Sequence, residues 1–557
     1  MLSRATIQKI VNQYYIKNRR ENIKSQLNKL IKLSESSISR KNFYGHITAS
    51  AIVLDSSLSK ILLIKHKKLS KLIQPGGHVD RADKDFRQAA IRELKEETGF
   101  TDIMEVSLDS TQPNIPLDID IHIIPENQKK QEPEHLHFDF RYVFVLTSNQ
   151  EVVGNEKEVN GIIWKSVKEL EHRSADLARV AKKMRSLIFE HRDEIFFNRI
   201  INTPPSLSEI NIVMVSHIVP DILPFIKSLQ KISRRLCIIP KPNSIYDEIL
   251  EKIPKELIRT LNRNELKTKI VFQDLFPKNM KSCIIDIGGY FATKEFFNFS
   301  NTQKNILGII EDTENGQQKY EKLGKVTSLP VVSVARSELK QNEDDLVGYS
   351  VAYYAEMIMR RSRRLPRYLT VAIIGYGKLG RGVAKYFFNQ NIKPLVYDKN
   401  PIRLVEAYKD GCIPVDKENL LSSSDLILCA TGSQSISGND FIALRPGCYI
   451  ASVTSSEDEF DLSAATKIFE IKSEIEFVKK FSNTDTHWFL INNGNAVNFI
   501  DKKGDRVGDF IRLVQGEIIM GLSNILNRNF KTGLQEVSQK DKKHIAQVFL
   551  ENYLPNT

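Results

Sequence analysis

The chain has 557 residues, a net charge of +12, and 41% hydrophobic and 27% charged residues. One hydrophobic core does not serve a chain of this length, so we expect three or four structural units. No apolar run is long enough to cross a bilayer, which argues against a membrane-spanning protein. The five cysteines form no CxxC motif and no Cys/His metal spacing, which favours a reduced, cytoplasmic protein.

The N-terminal segment carries most of the excess positive charge. Residues 1–48 contain ten Lys and Arg against Glu21 and Glu35, and their apolar residues recur at helical spacing. We expect a pair of helices with a basic, solvated face packed beside the next domain, although the acid-poor composition also mimics a transit peptide. Steering of anionic substrates is a further role for this charge. No recognised nucleic-acid module accompanies it, so nucleic acid is not an expected partner.

The next segment predicts a hairpin followed by a helix. HITASAIVLD, from His46, and KILLIKHKK, from Lys60, are β-rich runs with a short turn between them. After Gly76-Gly77-His78 comes a run from about Asp85 to Thr98 that has good helix formers and neither Gly nor Pro. This run predicts one continuous helix.

Three carboxylates lie on one strip of that helix. Glu93 and Glu97 are four residues apart, and Glu96 is one turn from Glu93. A cation relieves their mutual repulsion, and Mg²⁺ (or Mn²⁺) suits such hard oxygen ligands and bridges to substrate phosphates. A solvated acidic helix face is the alternative interpretation.

The surrounding residues favour the metal. Part of the chain resembles the Nudix box, G-x5-E-x7-R-E-U-x-E-E-x-G-U, where U is a bulky aliphatic residue, through Arg92, Glu93, Leu94, Glu96, Glu97, Gly99 and Phe100. The first half of the box departs from the pattern. Counted from Gly77 the loop is one residue longer, and Lys84 stands where the first Glu is expected. We expect the neighbouring Asp83 to pair with Arg92 in place of that Glu.

The resemblance implies a Nudix hydrolase, a Mg²⁺-dependent pyrophosphohydrolase in which Glu93, Glu96 and Glu97 hold the metal and Arg92 orients them. The GGH-type loop is similar to that of a bacterial Nudix branch in which a later strand lines the active site. That similarity implies three substrate contacts, His137, Asp139 and Arg141. These residues alternate along the strand and therefore share one of its faces. An ordinary amphipathic strand is the alternative. Two carboxylates are candidates for a further metal ligand or base, Glu156 and Glu158.

A second α/β region follows a linker. Residues 175–200 predict a helix, and Asn202-Thr203-Pro204-Pro205-Ser206 predicts the linker. From Asn211 onward strands alternate with helices, which implies a parallel, doubly wound sheet.

A dinucleotide-binding pattern lies within this region. VAIIGYGKLGRGVAKYFF gives an apolar strand, the glycines Gly375, Gly377 and Gly380 in G-x-G-x-x-G spacing, and a helix; Asp398 ends the next apolar strand. The glycines permit a tight turn and the close approach of a pyrophosphate to the helix N-terminus. Asp398 would accept hydrogen bonds from the adenosine ribose, so we expect NAD rather than NADP.

Further fragments from about 210 to 525 resemble S-adenosylhomocysteine hydrolase, which uses bound NAD to oxidise the ribose 3′-hydroxyl of its substrate. The fragments, in family order, are Ser216-His217, Asp286–Gly289, Glu311–Gly316, Val334–Lys340, Ala430–Ser433 and Asn495–Asn498. The roles implied by the resemblance are proton transfer at the 3′ position for Lys340 and Asp344, catalysis for His217, substrate binding for Asp312, and NAD contact for Thr313 and Asn498.

Several catalytic positions of that family are changed. Ile287 replaces the second Asp of DDGG, Ala335-Arg336 replaces the Asn-Asp of VND, and Ser455 falls near the place of the GHF histidine. The GHP histidine after Asn498 and the Lys/Tyr-containing tail have no counterpart. Elimination and water addition need positioned acids and bases, so we do not expect ordinary homocysteine release.

The predicted fold class is α/β. A Nudix α/β/α sandwich with a mixed sheet is followed by a two-lobed, doubly wound module that contains a Rossmann domain. The predicted boundaries are 1–45 for the basic helical segment, 46–200 for the Nudix domain, 207–348 for the substrate domain, 349–367 for a hinge helix, 368–500 for the NAD-binding domain, and 501–557 for C-terminal helices that pack back on the substrate lobe.

The predicted function is hydrolysis of a nucleoside diphosphate derivative by the Nudix domain, with a C-terminal module that binds or redox-modifies a nucleoside or nucleotide. The alternatives are a non-catalytic sensor or scaffold in the C-terminal half, a true adenosylhomocysteinase-type hydrolase, and an interaction protein with both sites inactive. The expected partner is a small nucleotide, and homo-oligomerisation through the C-terminal module is the expected form of assembly.

Overall fold

The computed structural model describes residues 3–18, 24–33, 38–39, 41–66, 72–107, 114–128, 131–146, 159–171, 175–201, 210–324, 327–454, 459–497, 500, 507–527 and 530–554. The chain divides into two compact units, one of residues 1–202 with 547–557 and the other of residues 203–546. Among the described residues, no helix has the length and apolarity that a membrane crossing requires.

The first unit is built on one mixed sheet. Its helices are α1 (Arg4–Lys17), α2 (Lys24–Leu33), α3 (Phe86–Thr98), α4 (Val167–Glu171) and α5 (Ala175–Ile201). Its strands are β1 (Gly45–Leu54), β2 (Lys60–His66), β3 (Leu72–Ile73), β4 (Gly76–His78), β5 (Ile103–Val106), β6 (Asp118–Ile124), β7 (His135–Leu146) and β8 (Val159–Ser166). The strand order is β3-β2-β1-β7-β5, with β4 beside β1, β6 beside β7 and β8 beside β2. β1 and β7 run parallel and the other pairs are antiparallel.

Helices cover both faces of this sheet because the side chains of β1 alternate between two cores. Ile47 and Ala49 share a core with residues of α1, α2 and α3, including Phe86. Ile52 and Leu54 share the other core with residues of α4 and α5. On the α5 side, the parallel register of β1 and β7 places polar residues opposite one another, Thr48 beside Asp139 and Ser50 beside Arg141.

The second unit begins with a wholly parallel sheet. Its strands are β9 (Asn211–Ile218), β10 (Arg235–Ile245), β11 (Ser282–Asp286), β12 (Ile306–Glu311), β13 (Pro330–Ser333) and β22 (Gly533–Gln535), in the order β10-β9-β11-β12-β13-β22. Its helices are α6 (Ile222–Ile232), α7 (Asp247–Leu250), α8 (Lys269–Leu275), α9 (Lys294–Ser300), α10 (Glu314–Leu323), α17 (Ile511–Leu526) and α18 (Gln539–Tyr553).

A second sheet carries the glycine-rich pattern. Its strands are β14 (Val371–Ile374), β15 (Leu395–Tyr397), β16 (Ile413–Pro414), β17 (Leu426–Cys429), β18 (Cys448–Ser452), β19 (Glu470–Ile475), β20 (Val478–Ser482) and β21 (His487–Ile491), in the order β16-β15-β14-β17-β18-β21-β20-β19. The first six strands in this order, which end with β21, are parallel to one another. β20 is antiparallel to β21, and β19 is antiparallel to β20. The helices are α11 (Glu338–Arg361), α12 (Lys378–Phe388), α13 (Pro401–Lys409), α14 (Lys417–Ser423), α15 (Asp440–Ala443) and α16 (Leu462–Ile468). The α/β class predicted for both halves is confirmed.

The helix α11 is longer than the predicted hinge helix and starts before it. Ser337 caps its N-terminus by accepting a hydrogen bond from the backbone N–H of Leu339, so the helix begins eleven residues before position 349. Gly348 does not break the helix, because it lies where α12 packs closely: a Cβ at Gly348 would lie 2.2 Å from the carbonyl oxygen of Leu379. The predicted boundary between residues 348 and 349 therefore falls within one continuous helix.

The C-terminal segment is shared between the units. α17 packs against the first parallel sheet, where a Cβ at Gly521 would lie 3.4 Å from Ile310 and Val332. Residues from Gln547 onward belong with the first unit, where Tyr553 donates a hydrogen bond of 2.6 Å to Asp193 of α5. The predicted segment 501–557 therefore has residues in both units.

Candidate functional site

The helix α3 has a defined start and end. The side chain of Asp85 accepts a hydrogen bond from the backbone N–H of Gln88 and caps the N-terminus. Gly99 ends the helix with φ +79°, a left-handed conformation that favours glycine. These two caps fix the length of the helix and hence the position of its carboxylates.

Arg92 is the centre of the polar contacts on this helix. Its Nε and Nη2 donate to both oxygens of Asp83, each at 3.1 Å, and its Nη2 also donates to the carbonyl oxygen of His78 at 2.8 Å. Its Nη1 donates to Glu93 at 2.9 Å and to Glu96 at 3.3 Å. The predicted pairing of Asp83 with the box arginine is thus present as a bidentate ion pair.

The three glutamates differ in exposure and fixation. Glu97 is buried and accepts a hydrogen bond of 3.0 Å from the backbone N–H of Gly76, whereas the side chain of Glu96 is 56% exposed. Glu93 lies so close to the loop that a Cβ at Gly77 would be 2.6 Å from its Oε1. A side chain at position 77 would require the Glu93 carboxylate to move. Burial raises the pKa of Glu93, and Arg92 opposes that shift.

These residues fit a hard divalent cation. The strip offers three carboxylates, and Arg92 contributes one positive charge that contacts two of them. Carboxylate oxygens grouped with one counter-charge form the ligand set that Mg²⁺ or Mn²⁺ takes. The metal-binding roles of Glu93, Glu96 and Glu97 remain a proposal supported by this geometry.

The structure places Asp139 and Arg141 in a buried ionic network. Asp139 accepts hydrogen bonds from Thr48 at 3.1 Å, Ser50 at 2.7 Å and the Arg141 Nε at 3.1 Å. The remaining nitrogens of Arg141, whose side chain is 5% exposed, contact three further carboxylates at 2.9–3.2 Å, those of Asp118, Asp120 and Asp176. These contacts favour a structural role over the predicted substrate contact.

We expect Arg141→Gln to lower the free energy of unfolding by about 3–5 kcal/mol, because it leaves four carboxylates around an uncharged group. Urea denaturation of the full chain measures this loss. Arg179→Gln is the matched control: Arg179 contacts three of the same carboxylates, but its side chain is 37% exposed, so a loss of about 1 kcal/mol is expected. Unchanged stability with a raised KM would instead support the predicted substrate contact.

His137, the third predicted substrate contact, lies within a group of histidines that the sequence did not predict. Its ring centroid is 4.7 Å from that of His46, 5.3 Å from that of His78 and 5.3 Å from that of His135. Burial lowers the pKa of His137 to about 2, and the neighbouring histidines act in the same direction. His137 is therefore a neutral imidazole at physiological pH.

The glycine-rich turn between β14 and α12 has the geometry of a dinucleotide site. Gly375 has φ +95°, and a Cβ there would lie 2.8 Å from the carbonyl oxygen of Ala430. A Cβ at Gly380 would lie 2.0 Å from the carbonyl oxygen of Gly375, so the helix approaches the turn as closely as backbone atoms permit. Gly377 is the N-cap residue of α12, and no side chain caps this helix end. The N–H groups of the first turn can therefore donate hydrogen bonds to a bound anion.

Asp398 anchors this turn. Its carboxylate accepts hydrogen bonds from the backbone N–H groups of Tyr376 at 2.7 Å and Asn400 at 2.8 Å. A carboxylate has further lone pairs for ribose hydroxyls. Arg403, which the sequence analysis missed, lies 3.6 Å from Asp398 and faces Gly377. An arginine there is relevant because arginine accommodates the 2′-phosphate in NADP-binding relatives of this fold.

Lys340 lies buried among carboxylates. Its Nζ is 3.0 Å from Asp312 and 2.5 Å from Glu343, a partner that the sequence analysis did not single out. Burial would lower the pKa of Lys340, but Asp312, Glu343 and Asp344 hold it well above its ordinary value. Asp344 itself pairs with Lys378 at 3.4 Å, and Lys378 opens the helix of the glycine-rich turn. Asp344 therefore acts on Lys340 electrostatically within a larger cluster, while its own ion pair is with Lys378, and the predicted roles of both residues in proton transfer stay a prediction.

His217 contacts a lysine that the sequence analysis also missed. Its Nδ1 lies 2.6 Å from the Ser244 hydroxyl and its Nε2 lies 3.2 Å from the Lys241 Nζ. Burial lowers the pKa of Lys241 to about 8, and Glu311 and Asp312 oppose that shift. Lys241 thereby connects His217 electrostatically with the Asp312–Lys340 cluster. Nearby Ile287 is buried and supplies no acid.

The hydroxyl of Thr313 makes local hydrogen bonds. It donates to Glu311 at 2.7 Å and accepts from the backbone N–H of Gly316, which caps α10. Glu311 also accepts from the N–H groups of Gly288 and Gly289, and burial raises the pKa of Glu311. The predicted contact of Thr313 with NAD stays a prediction.

Four residues singled out from the sequence lie outside the described residues: Asn498, Ser455, Glu156 and Glu158. Just after Ser455, buried Glu459 accepts hydrogen bonds of 2.7 Å from the backbone N–H groups of Thr431 and Gly432. It fixes the loop after β17. The sequence did not indicate this role, because Glu459 lies next to the ATGS motif (Ala430–Ser433) in space but not along the chain.

Two known domain families match two separate parts of the chain. Residues 45–188 match the NUDIX domain family, and residues 355–503 match the family of the S-adenosyl-L-homocysteine hydrolase NAD binding domain. The chain therefore joins a NUDIX domain, the domain of phosphoanhydride hydrolases, to an NAD-binding domain of the adenosylhomocysteinase family.

Curated relatives are similar to slightly less than half of this chain. An adenosylhomocysteinase of Thermotoga maritima is 24% identical over 48% of this chain and 66% of the relative. An adenosylhomocysteinase of Acinetobacter baylyi is 26% identical over 42% of this chain and 55% of the relative. An S-inosyl-L-homocysteine hydrolase of Methanopyrus kandleri is 23% identical over 48% and 65%. The chain spans about half to two thirds of the length of these relatives.

Two solved structures are similar to about a quarter of this chain. A hydrolase of the NUDIX family from Clostridium perfringens is 22% identical and covers 26% of this chain and 99% of its own, with a TM-score of 0.22. An Ap4A hydrolase from C. elegans is 16% identical and covers 26% and 98%, with a TM-score of 0.21.

Proposed function

We propose that the N-terminal domain is a Mg²⁺-dependent pyrophosphohydrolase of a nucleoside diphosphate derivative. The observation that carries the proposal is the strip of Glu93, Glu96 and Glu97, which Arg92 and the Gly76–Gly77 loop hold in place. In the reaction, a P–O bond of the phosphoanhydride breaks and an oxygen of water forms the new P–O bond.

The residues of the site fall into metal ligands and residues that position them. Glu93, Glu96 and Glu97 would hold Mg²⁺, which would neutralise the charge that develops on the pyrophosphate. Arg92 orients Glu93 and Glu96 by donating to both, and Asp83 in turn fixes Arg92. Gly99 ends the helix in a left-handed conformation.

The experiment is a screen of purified full-length protein against ADP-ribose, NADH, diadenosine tetraphosphate and nucleoside triphosphates, with products identified by liquid chromatography and mass spectrometry. We expect one class to be cleaved at a phosphoanhydride bond with Mg²⁺ or Mn²⁺, and not with excess chelator. Absence of metal-dependent cleavage across the whole panel would contradict the proposal.

We further propose that the C-terminal module binds NAD and a nucleoside or nucleotide and does not complete homocysteine release. The glycine-rich turn and Asp398 support the cofactor site, and Lys340 with its carboxylates retains charged groups for a ribose. Buried Ile287, in the place of a family carboxylate, supports the lost hydrolysis. Because both halves have features of adenine-nucleotide sites, we propose an adenosine-containing Nudix substrate.

We expect the protein to bind NAD(H) at least about tenfold more tightly than NADP(H), because a 2′-phosphate would face the carboxylate of Asp398. Isothermal titration calorimetry of the full chain measures both affinities. Arg403→Ala is the matched control, because it removes the one positive charge that contacts Asp398 among the described residues. In that variant the preference for NAD should increase. Equal affinities in the wild type, or no binding of either cofactor, would remove NAD from this account.

A further inference from the structure

The histidine cluster lies on the α5 side of the first sheet and is defined by His46, His78, His135 and His137. These four belong to three strands: β1 carries His46, β4 carries His78, and β7 carries the other two. Because β1 and β7 are parallel with His46 opposite His137, and because Thr48 is opposite His78, the backbone register itself brings the rings to one face. A fifth histidine, His122 of β6, lies opposite His137 on the other side.

The ring nitrogens converge. One ligand nitrogen from each of His46, His135 and His137 lies within 4.8 Å of the others. The Nε2 of His78 lies 3.0 Å from the Nε2 of His46. Zinc–nitrogen bonds of about 2.0–2.1 Å in a tetrahedron separate two ligand nitrogens by about 3.3 Å. The His46–His78 distance is close to that value, and the nitrogens of His135 and His137 would have to move closer to that of His46 when a metal binds.

The outer contacts of the rings suit metal ligands. His135 Nδ1 lies 2.8 Å from the carbonyl oxygen of Pro133. Since a carbonyl only accepts, Nδ1 carries the proton, and in the neutral ring Nε2 keeps its lone pair. Histidines that bind metals commonly donate their second nitrogen to a carbonyl or carboxylate in this way. His122 has the same arrangement with Asp120 at 2.9 Å and lies beside His137.

The chemistry of this cluster differs from that of the glutamate strip. Imidazole nitrogen suits Zn²⁺ and the other late first-row divalent ions, whereas carboxylate oxygen suits Mg²⁺ and Mn²⁺. His46 and His135 are buried, so their ligand atoms lie in a partly desolvated site on rigid strands. These observations do not depend on the proposed hydrolase activity.

We propose that the histidine cluster binds one Zn²⁺ or similar late first-row ion, as a second metal site separate from the glutamate strip. The site ties the loop segment that contains β4 (Gly76–His78) to β7 as well as to β1, with which β4 pairs. The same loop accepts the Arg92 hydrogen bond through the His78 carbonyl and approaches Glu93 through Gly77. Metal binding at the histidines thus fixes the loop against which the carboxylates of α3 lie.

The experiment uses full-length protein without a polyhistidine tag, stripped of metal by chelator and titrated with Co²⁺ or Zn²⁺ in excess Mg²⁺. Magnesium occupies carboxylate sites and does not compete for imidazole. We expect one equivalent of Co²⁺ to bind with the visible absorption of a four-coordinate nitrogen site, and one equivalent of Zn²⁺ to displace it.

His46→Gln and His137→Asn should each weaken Zn²⁺ binding at least about 100-fold, since loss of an outer partner alone costs about 10–100-fold. The matched control is His544→Gln, an exposed histidine outside the cluster, which should bind zinc like the wild type. Thermal unfolding without metal checks that the variants fold. If they do not, protection of the four histidines of the wild type from diethylpyrocarbonate by Zn²⁺, mapped by mass spectrometry, provides the same test.

Binding of no Co²⁺ or Zn²⁺ in excess Mg²⁺, or equal binding by wild type and both cluster variants, would overturn the proposal. Zinc protection of histidines outside the cluster alone would also overturn it.

Discussion

Glu97→Gln is expected to lower kcat for Mg²⁺-dependent hydrolysis by about 10²–10³-fold, with little loss of stability. A metal that stabilises charge on a phosphoryl group contributes several kcal/mol to the barrier, and each 1.36 kcal/mol is about tenfold in rate. The amide oxygen of Gln can still accept the hydrogen bond from Gly76 that Glu97 accepts in the structure. The substitution therefore removes the charge and keeps the contact.

Glu190→Gln is the control, because Glu190 is an exposed acid on α5 that accepts a hydrogen bond from Ser186 of the same helix. Its rate should equal that of the wild type. Thermal unfolding and Mg²⁺ titration of the rate accompany both variants. If Glu97→Gln hydrolyses every substrate of the wild type at the wild-type rate, Glu97 is not a metal ligand.

The C-terminal module is expected not to hydrolyse S-adenosylhomocysteine at a useful rate. Oxidation at the 3′ position needs NAD and a base, and Lys340 with its partner carboxylates retains ionisable groups there. Elimination of homocysteine and addition of water need further acids and bases. Ile287 cannot supply one, and loss of one such group commonly costs about 10²–10⁴-fold.

The measurement adds S-adenosylhomocysteine to NAD-loaded protein, follows absorbance at the NADH band, and assays adenosine and homocysteine. A single burst of NADH without products indicates a module that still oxidises a ribose. A flat signal without products indicates a sensor or scaffold. Steady release of both products at an ordinary enzymatic rate would contradict the expected defect, and Lys340→Met should then abolish that release.

The parts of the sites that the sequence predicted are those encoded by local spacing. The strip of Glu93, Glu96 and Glu97 follows from helical periodicity, and the turn at Gly375 follows from a strand, three glycines and a helix. Asp83 was identified as the partner of Arg92 because it adjoins the position of the missing glutamate. In each case the interacting residues are near each other along the chain.

The parts that the sequence did not predict depend on contacts between distant segments. His46 and His137 meet only because β1 and β7 pair in parallel, and nothing in either segment encodes that register. Glu459 reaches Thr431 across the ends of neighbouring strands for the same reason. The surroundings of Arg141 could not be predicted from the sequence alone, because an arginine on a polar strand face gives no indication that four carboxylates will surround it.

The central claim is that the N-terminal domain transfers water to a phosphoanhydride of a nucleotide. Its most direct test is the reaction of the best substrate of the screen in ¹⁸O-labelled water with Mg²⁺, followed by mass spectrometry of both products. The account predicts one ¹⁸O atom in a newly formed terminal phosphate of one product, none in unreacted substrate, and formation of this product about 10²–10³-fold more slowly with Glu97→Gln. Cleavage without ¹⁸O in a phosphate, or labelled product formed equally well by the variant, would contradict it.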